Sequence, residues 1–111
     1  MITVAETTEF IRKAKKLLSD EERQELVSYL STHPISGNIL EGTGGIRKLR
    51  WARQGTGKSG GTRVIYLYHN EGMPLYALTI YGKGKKDNLS QAERNELAKL
   101  VDVLIAYWRK R

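Results

Sequence analysis

Apolar residues recur at helical spacing in the first third of the chain. From Thr7 or Thr8 they form one stripe, consisting of Phe10, Ile11, Ala14, Leu17 and Leu18. A second helix is predicted to begin at Ser19, because Glu22 follows three residues later and completes a capping box. The segment His33-Pro34 ends this helix, since a residue before proline is disfavoured in helical conformation. The pattern predicts two consecutive amphipathic helices.

The rest of the chain alternates in the manner of strands and then returns to helical spacing. β-branched and aromatic residues predict three strands, at about Ile46–Ala52, Thr62–Tyr68 and Leu75–Tyr81. A short strand is predicted in "MITVAE", and "PISGNILEGTGG" is predicted to be a connector. Ser90 and Glu93 form a second capping box before a long amphipathic helix. The order β-α-α-β-β-β-α predicts an α+β fold, with helices packed on one sheet in a single domain spanning residues 1–111.

The charge is strongly segregated along the chain. The formal net charge is +7, from 19 Lys and Arg against 12 Asp and Glu. No acidic residue lies between Glu41 and Glu71, a stretch that holds six basic ones: Arg47, Lys48, Arg50, Arg53, Lys58 and Arg63. Lys83, Lys85 and Lys86 follow. This segregation predicts a polyanionic partner, nucleic acid ahead of membrane because no basic amphipathic helix accompanies it. The alternative is a solubilising charged face.

Strand alternation predicts where these cations point. Lys48 and Arg50 share one face of their strand, Leu49 and Trp51 share the other, and Arg63 opens the next strand. If the three strands are neighbours, the basic groups converge on one concave face of the sheet. We expect the helices to cover the opposite face.

The glycine-rich loop "RQGTGKSGGTR" partly resembles nucleotide-binding motifs, but it matches neither of the two that it could contain. A P-loop requires glycine where this chain has Ala52, and a dinucleotide fingerprint requires a following helix, whereas a strand is predicted here. The loop is therefore predicted to be a hairpin tip. The chain has no cysteine and two histidines, so we expect no metal and no cofactor. It has no apolar run near the ~20 residues that span a bilayer and no signal-peptide core, so we expect a cytoplasmic protein.

Two segments of the chain resemble a known family. "GTGGIRKLRWARQGTGKSGGTRVIYLYHN" and "LYALTIYGKGKKDNLSQAERNELAKL" are similar to the RelE/HigB superfamily of bacterial toxins, particularly its HigB-like branch. The resemblance implies a small antiparallel sheet flanked by helices. It also implies a metal-independent endonuclease that cleaves translated mRNA in the ribosomal A site and so inhibits translation. The implied partners are the ribosome, mRNA and an antitoxin with a helix-turn-helix. Operator DNA is expected to be bound only through the antitoxin, and no membrane partner is expected.

The resemblance also implies roles for individual residues. It places catalysis on Lys48, Arg63, Lys83 and Lys86, and contacts to RNA and ribosome on Arg47, Arg50 and Lys85, with the register among Lys83, Lys85 and Lys86 left open by Gly84. The basic stretch itself predicts further contacts to RNA and ribosome from Arg53 and Lys58. Arginine suits charge stabilisation on a phosphate through its planar fork, and lysine can transfer protons. Several relatives have a tyrosine or histidine as base in the C-terminal tail, but "KKDNLSQAERNELAKL" contains neither. The sequence does not identify the proton acceptor.

Two other functions remain open from the sequence. One is a noncatalytic ParE-like inhibitor of DNA gyrase, a class that keeps the fold but generally lacks the basic set. The other is a module that binds RNA or the ribosome without chemistry, because binding and catalysis draw on the same cations. Trp51 and Tyr81 fit either stacking on a base or packing in the core.

Overall fold

The computed structural model describes residues 1–52, 61–82, 84 and 89–110. Within them lie eight elements in the order β1 Val4–Glu6, α1 Thr8–Leu17, α2 Asp20–Thr32, β2 Asn38–Ile39, β3 Ile46–Trp51, β4 Thr62–Leu67, β5 Leu75–Gly82 and α3 Gln91–Arg109. All three predicted helices and all four predicted strands are confirmed, with ends that differ by up to three residues. The two-residue strand β2 is an addition, since this segment was predicted to be part of a connector.

One sheet contains all five described strands, in the order β1-β5-β4-β3-β2. The pairs β2–β3, β3–β4 and β4–β5 are antiparallel, whereas β1 pairs with β5 in parallel. The sheet is therefore mostly antiparallel with a parallel edge strand. The predicted α+β fold is confirmed.

Both predicted capping boxes form. The Ser19 hydroxyl accepts the Glu22 backbone N–H at 3.1 Å, and the Glu22 carboxylate accepts the Ser19 N–H at 2.8 Å. Ser90 and Glu93 make the same two bonds at 3.1 and 2.8 Å. Each box satisfies two backbone donors that the first turn of a helix cannot pair internally, which stabilises the helix by about 1 kcal/mol.

Helices cover both faces of the sheet. On one face α1 and α2 enclose a cluster that includes Phe10, Leu26, Leu30, Val64 and Tyr66. On the other face α3 packs against a second cluster, with Ile46, Ile65, Leu67 and Val101 among its members. The expectation that helices cover only the face opposite the basic residues was wrong. The face that carries the cations also carries apolar residues from the same strands, and α3 covers those.

The Tyr66 side chain joins the segment that follows α2 to the sheet by hydrogen bonds. Its side chain is fully buried, and burial raises the pKa of its hydroxyl, against the lowering effect of its hydrogen bonds. The hydroxyl accepts the Gly37 N–H at 2.9 Å and donates to the Pro34 carbonyl at 2.9 Å. A Cβ on Gly37 would lie 3.0 Å from both the Tyr66 ring and the Lys48 carbonyl, so this close approach favours glycine.

Replacing Tyr66 with phenylalanine should lower the free energy of unfolding by about 1–3 kcal/mol, because the Gly37 N–H would be left buried without its acceptor. Urea unfolding followed by circular dichroism measures the change. Tyr68→Phe, at a half-buried position just after β4, is the matched control and should change it by less than about 0.5 kcal/mol. Equal stability of the Tyr66→Phe and wild-type proteins would contradict the role of this hydroxyl.

Candidate functional site

Three cations from two adjacent strands share one face of the sheet. Arg50 on β3 lies directly opposite Arg63 on β4, and Lys48 lies opposite Ile65. Because residues opposite each other in a ladder point to the same side, Lys48, Arg50 and Arg63 share the face that α3 packs on. We call these three residues the basic cluster. The prediction that Lys48 and Arg50 share a face opposite to that of Leu49 and Trp51 is confirmed.

The three residues of the basic cluster differ greatly in how far they are exposed to solvent. Arg50 is exposed and Lys48 is half-buried, whereas Arg63 is only 5% exposed. Arg63 lies on β4, the central strand of the sheet, and its guanidinium donates to the Gly61 carbonyl at 3.0 Å. The two ion pairs formed among the described residues, Lys13–Glu9 and Arg23–Glu6, do not involve it.

This arrangement is unfavourable for the isolated fold. A buried charge without a charged partner carries a large desolvation cost, and like charges directly across a ladder destabilise it further. Arg63 is buried and has no charged partner among the described residues, and Arg50 lies directly opposite it as a like charge. A bound anion would relieve both. The basic cluster therefore has the electrostatics of an anion-binding site.

Arg47 lies on the opposite face of β3. It pairs across the ladder with Tyr66, and its guanidinium donates to the Gly37 carbonyl at 2.7 Å and to the Ile35 carbonyl at 3.2 Å. These bonds hold the connector against the sheet. The structure does not bring Arg47 together with the basic cluster, and its contact with RNA stays a prediction.

The other five predicted site residues, Arg53, Lys58, Lys83, Lys85 and Lys86, lie outside the described residues. The described strand ends next to them converge, however. Trp51 pairs with Thr62, and Thr62 pairs with Gly82, so β3, β4 and β5 present these ends side by side. The basic cluster lies at this same end of the sheet.

A cleft of 520 Å³ opens beside Tyr81, which pairs across the ladder with Arg63. Its described lining comes from α1, the end of β5 and the start of α3, and includes Glu9, Lys13, Lys16 and Leu89. The Thr79 hydroxyl is the largest cause of a lowered pKa at Glu9, and the Lys13 ammonium at 3.3 Å lowers it further against partial burial. Sequence reasoning missed the two lysines, because nothing local indicates that α1 lies along β5.

Within the described ranges, no group of three His, Asp or Glu side chains is arranged to hold a metal ion. None of the described helices is long and apolar enough to cross a membrane.

Gly61 fixes the start of β4 at the basic cluster. Its carbonyl accepts from Arg63, and a Cβ there would lie 2.5 Å from the Trp51 carbonyl oxygen. All three of the nearest atoms belong to the backbone of Trp51 and Ala52, which has little room to relax. Gly61→Ala should therefore destabilise the protein by about 1–3 kcal/mol, as overpacking does. Thermal unfolding measures it, and Gly72→Ala, where the nearest atom is an Asn70 side-chain oxygen at 3.1 Å, is the control. If both variants unfold like the wild type, the close approach at Gly61 is not a constraint.

Three solved structures share this fold. A chain of the intact E. coli RelBE toxin–antitoxin complex is 20% identical, covers 78% of this chain and 100% of its own length, and has a TM-score of 0.54. A double arginine-to-alanine mutant of E. coli RelE in the free state is 19% identical, with coverage of 88% and 94% and a TM-score of 0.57. The isolated E. coli RelE toxin is 16% identical, with coverage of 90% and 99% and a TM-score of 0.55. At these identities the likeness concerns the fold alone.

The sequence itself matches a family. The model of the RelE toxin of the RelE/RelB toxin–antitoxin system matches residues 2–111, which is nearly the whole chain. This match includes the basic cluster and all the described strands and helices. The chain therefore belongs to the RelE toxin family.

Proposed function

We propose that this toxin is a ribosome-dependent endoribonuclease, which cleaves translated mRNA in the ribosomal A site and so inhibits translation. The observation that carries the proposal is Arg63, a cation that is only 5% exposed, lacks an ion-pair partner among the described residues and faces Arg50 across the ladder. A phosphate bound between Arg50 and Arg63 would compensate both positive charges. Membership of the RelE toxin family supports the same activity.

The reaction requires no bound metal in this proposal. The 2′-oxygen of the RNA attacks the adjacent phosphorus, the bond to the 5′-oxygen breaks, and a 2′,3′-cyclic phosphate and a 5′-hydroxyl result. The protein must hold the attack in line and stabilise the added negative charge. The Arg63 guanidinium suits both tasks, since its fork can bind two phosphate oxygens at once. Lys48 and Arg50 add positive charge from the next strand, and Lys83 and Lys86 remain proposed catalytic residues.

We also propose that a cognate antitoxin neutralises this chain. The E. coli RelBE structure is a complex of a toxin with its antitoxin. For the present chain the partner would be an antitoxin with a helix-turn-helix, which binds operator DNA and brings the toxin to it. We propose a cytoplasmic location for the same reason, because the proposed target, the translating ribosome, lies there.

Cleavage on a programmed ribosome tests the activity. Purified toxin is added to ribosomes stalled on a defined message with an open A site, and primer extension maps the breaks. We expect a break within the A-site codon and little cleavage of free RNA, because the ribosome supplies the in-line geometry. Stalling with intact message would indicate a binding module without chemistry. Gyrase-dependent DNA breaks in a parallel assay would indicate a ParE-like inhibitor.

A further inference from the structure

Arg63 on β4 has one cross-strand neighbour on each side. Arg50 of β3 is one, and Tyr81 of β5 is the other. Arg63 and Tyr81 pair in register between β4 and β5, so their side chains point to the same face with Cβ atoms about 4.5–5.5 Å apart. Tyr81 is 9% exposed and lines the 520 Å³ cleft between α1, β5 and the start of α3. A nucleotide whose phosphate contacts Arg63 would therefore lie within reach of the Tyr81 ring.

The proposed reaction needs a proton donor at this place. When the bond to phosphorus breaks, the 5′-oxygen leaves as an alkoxide, which is a poor leaving group unless it is protonated as it departs. An arginine cannot give up its proton in a protein, so Arg50 and Arg63 are unsuited to the task. A phenol is a good candidate, because it carries a proton at neutral pH and presents it at the end of a rigid ring.

The two carboxylates in the described lining of the cleft are less suitable. Glu9 is bonded to the Lys13 ammonium, and its pKa is lowered, chiefly by the Thr79 hydroxyl, so it is ionised at neutral pH and has no proton to give. Glu93 accepts the Ser90 backbone N–H at 2.8 Å in the capping box of α3. Lys48 is a possible donor, but it lies on β3, with β4 between it and the cleft.

We propose that Tyr81 is the general acid of this site, donating its hydroxyl proton to the departing 5′-oxygen. This inference rests on the proposed function. In the step, the 2′-oxygen forms a bond to phosphorus and its own proton goes to solvent. The bond between phosphorus and the 5′-oxygen breaks, the Tyr81 proton moves to that oxygen, and solvent then reprotonates the phenolate. No other reactant is consumed.

The test compares two substrates with Tyr81→Phe, which keeps the ring and removes the hydroxyl. On ordinary message in programmed ribosomes, single-turnover cleavage should slow by about 10²-fold. The second message carries sulfur in place of the 5′-oxygen at the cleaved linkage. A thiolate leaves without protonation, since thiol pKa values are near 8.5. Tyr81→Phe should cleave this message at the wild-type rate. A purely structural role for the hydroxyl would slow both substrates equally.

Tyr76→Phe is the matched control, because the Tyr76 hydroxyl accepts the Trp108 indole N–H at 2.8 Å and lies outside the cleft. It should match the wild type on both messages. Wild-type cleavage of Tyr81→Phe on ordinary message would overturn the inference, as would an equal loss on both messages. If the wild-type protein cleaves neither message, the proposed function itself has failed.

Discussion

Replacing Arg63 with alanine should slow single-turnover cleavage on programmed ribosomes by about 10²–10³-fold. In the proposed mechanism Arg63 is a buried donor to the reacting phosphate, so its removal takes away charge stabilisation that the transition state needs. Ribosome binding should change far less, because the rest of the +7 charge still supplies the electrostatic attraction. The two measurements together separate catalysis from docking. If cleavage and binding fall by the same factor, Arg63 is a docking residue.

Two further variants refine the role of Arg63. Arg63→Lys should recover only part of the rate, since an ammonium cannot form the two parallel bonds of a guanidinium. Arg63→Met keeps much of the buried volume without the charge, so it distinguishes lost chemistry from a cavity on the central strand. Arg109→Ala, at an exposed position in the last turn of α3, should cleave at the wild-type rate. If Arg63→Ala cleaves at the wild-type rate, Arg63 is not catalytic, and the proposed catalytic role passes to Lys48 and to the group Lys83, Lys85 and Lys86.

Features with local causes were predicted correctly from the sequence. The capping boxes at Ser19 and Ser90 depend on residues three positions apart, and both form. The shared face of Lys48 and Arg50 follows from the two-residue repeat of a strand, and the ladder confirms it. Local periodicity also predicted the strands that carry the site, because their runs are bounded by glycine-rich segments.

Features that depend on distant parts of the chain were not predicted. The parallel pairing of β1 with β5 joins segments about 70 residues apart, and the position of α3 follows from which sheet face it covers. The two-residue repeat along a strand also indicates which face of the sheet a side chain lies on, but not how deeply that side chain is buried. Arg63 was predicted to join a basic surface, yet it is almost completely buried, because β4 is the central strand. That burial is the strongest argument for its proposed role, and it follows from the strand order rather than from local sequence.

Phe10→Ala should lower the free energy of unfolding by about 3–5 kcal/mol. The ring is fully buried in the cluster between α1, α2 and the sheet, where Ala77 and Ile80 of β5 are fellow members. Small domains have total stabilities of about 5–15 kcal/mol, so this loss is a large fraction. It also bears on the site, because α1 and β5 both line the cleft beside Tyr81.

Urea unfolding measures the effect of Phe10→Ala as a lower midpoint with an unchanged slope. Phe10→Leu should cost much less, because most of the buried volume is kept. Ile35→Ala, at a position that is 65% exposed, should change stability by less than about 0.5 kcal/mol. A Phe10→Ala protein as stable as the Ile35→Ala control would show that α1 is not anchored to β5 by this ring. The cleft beside Tyr81 would then need another support.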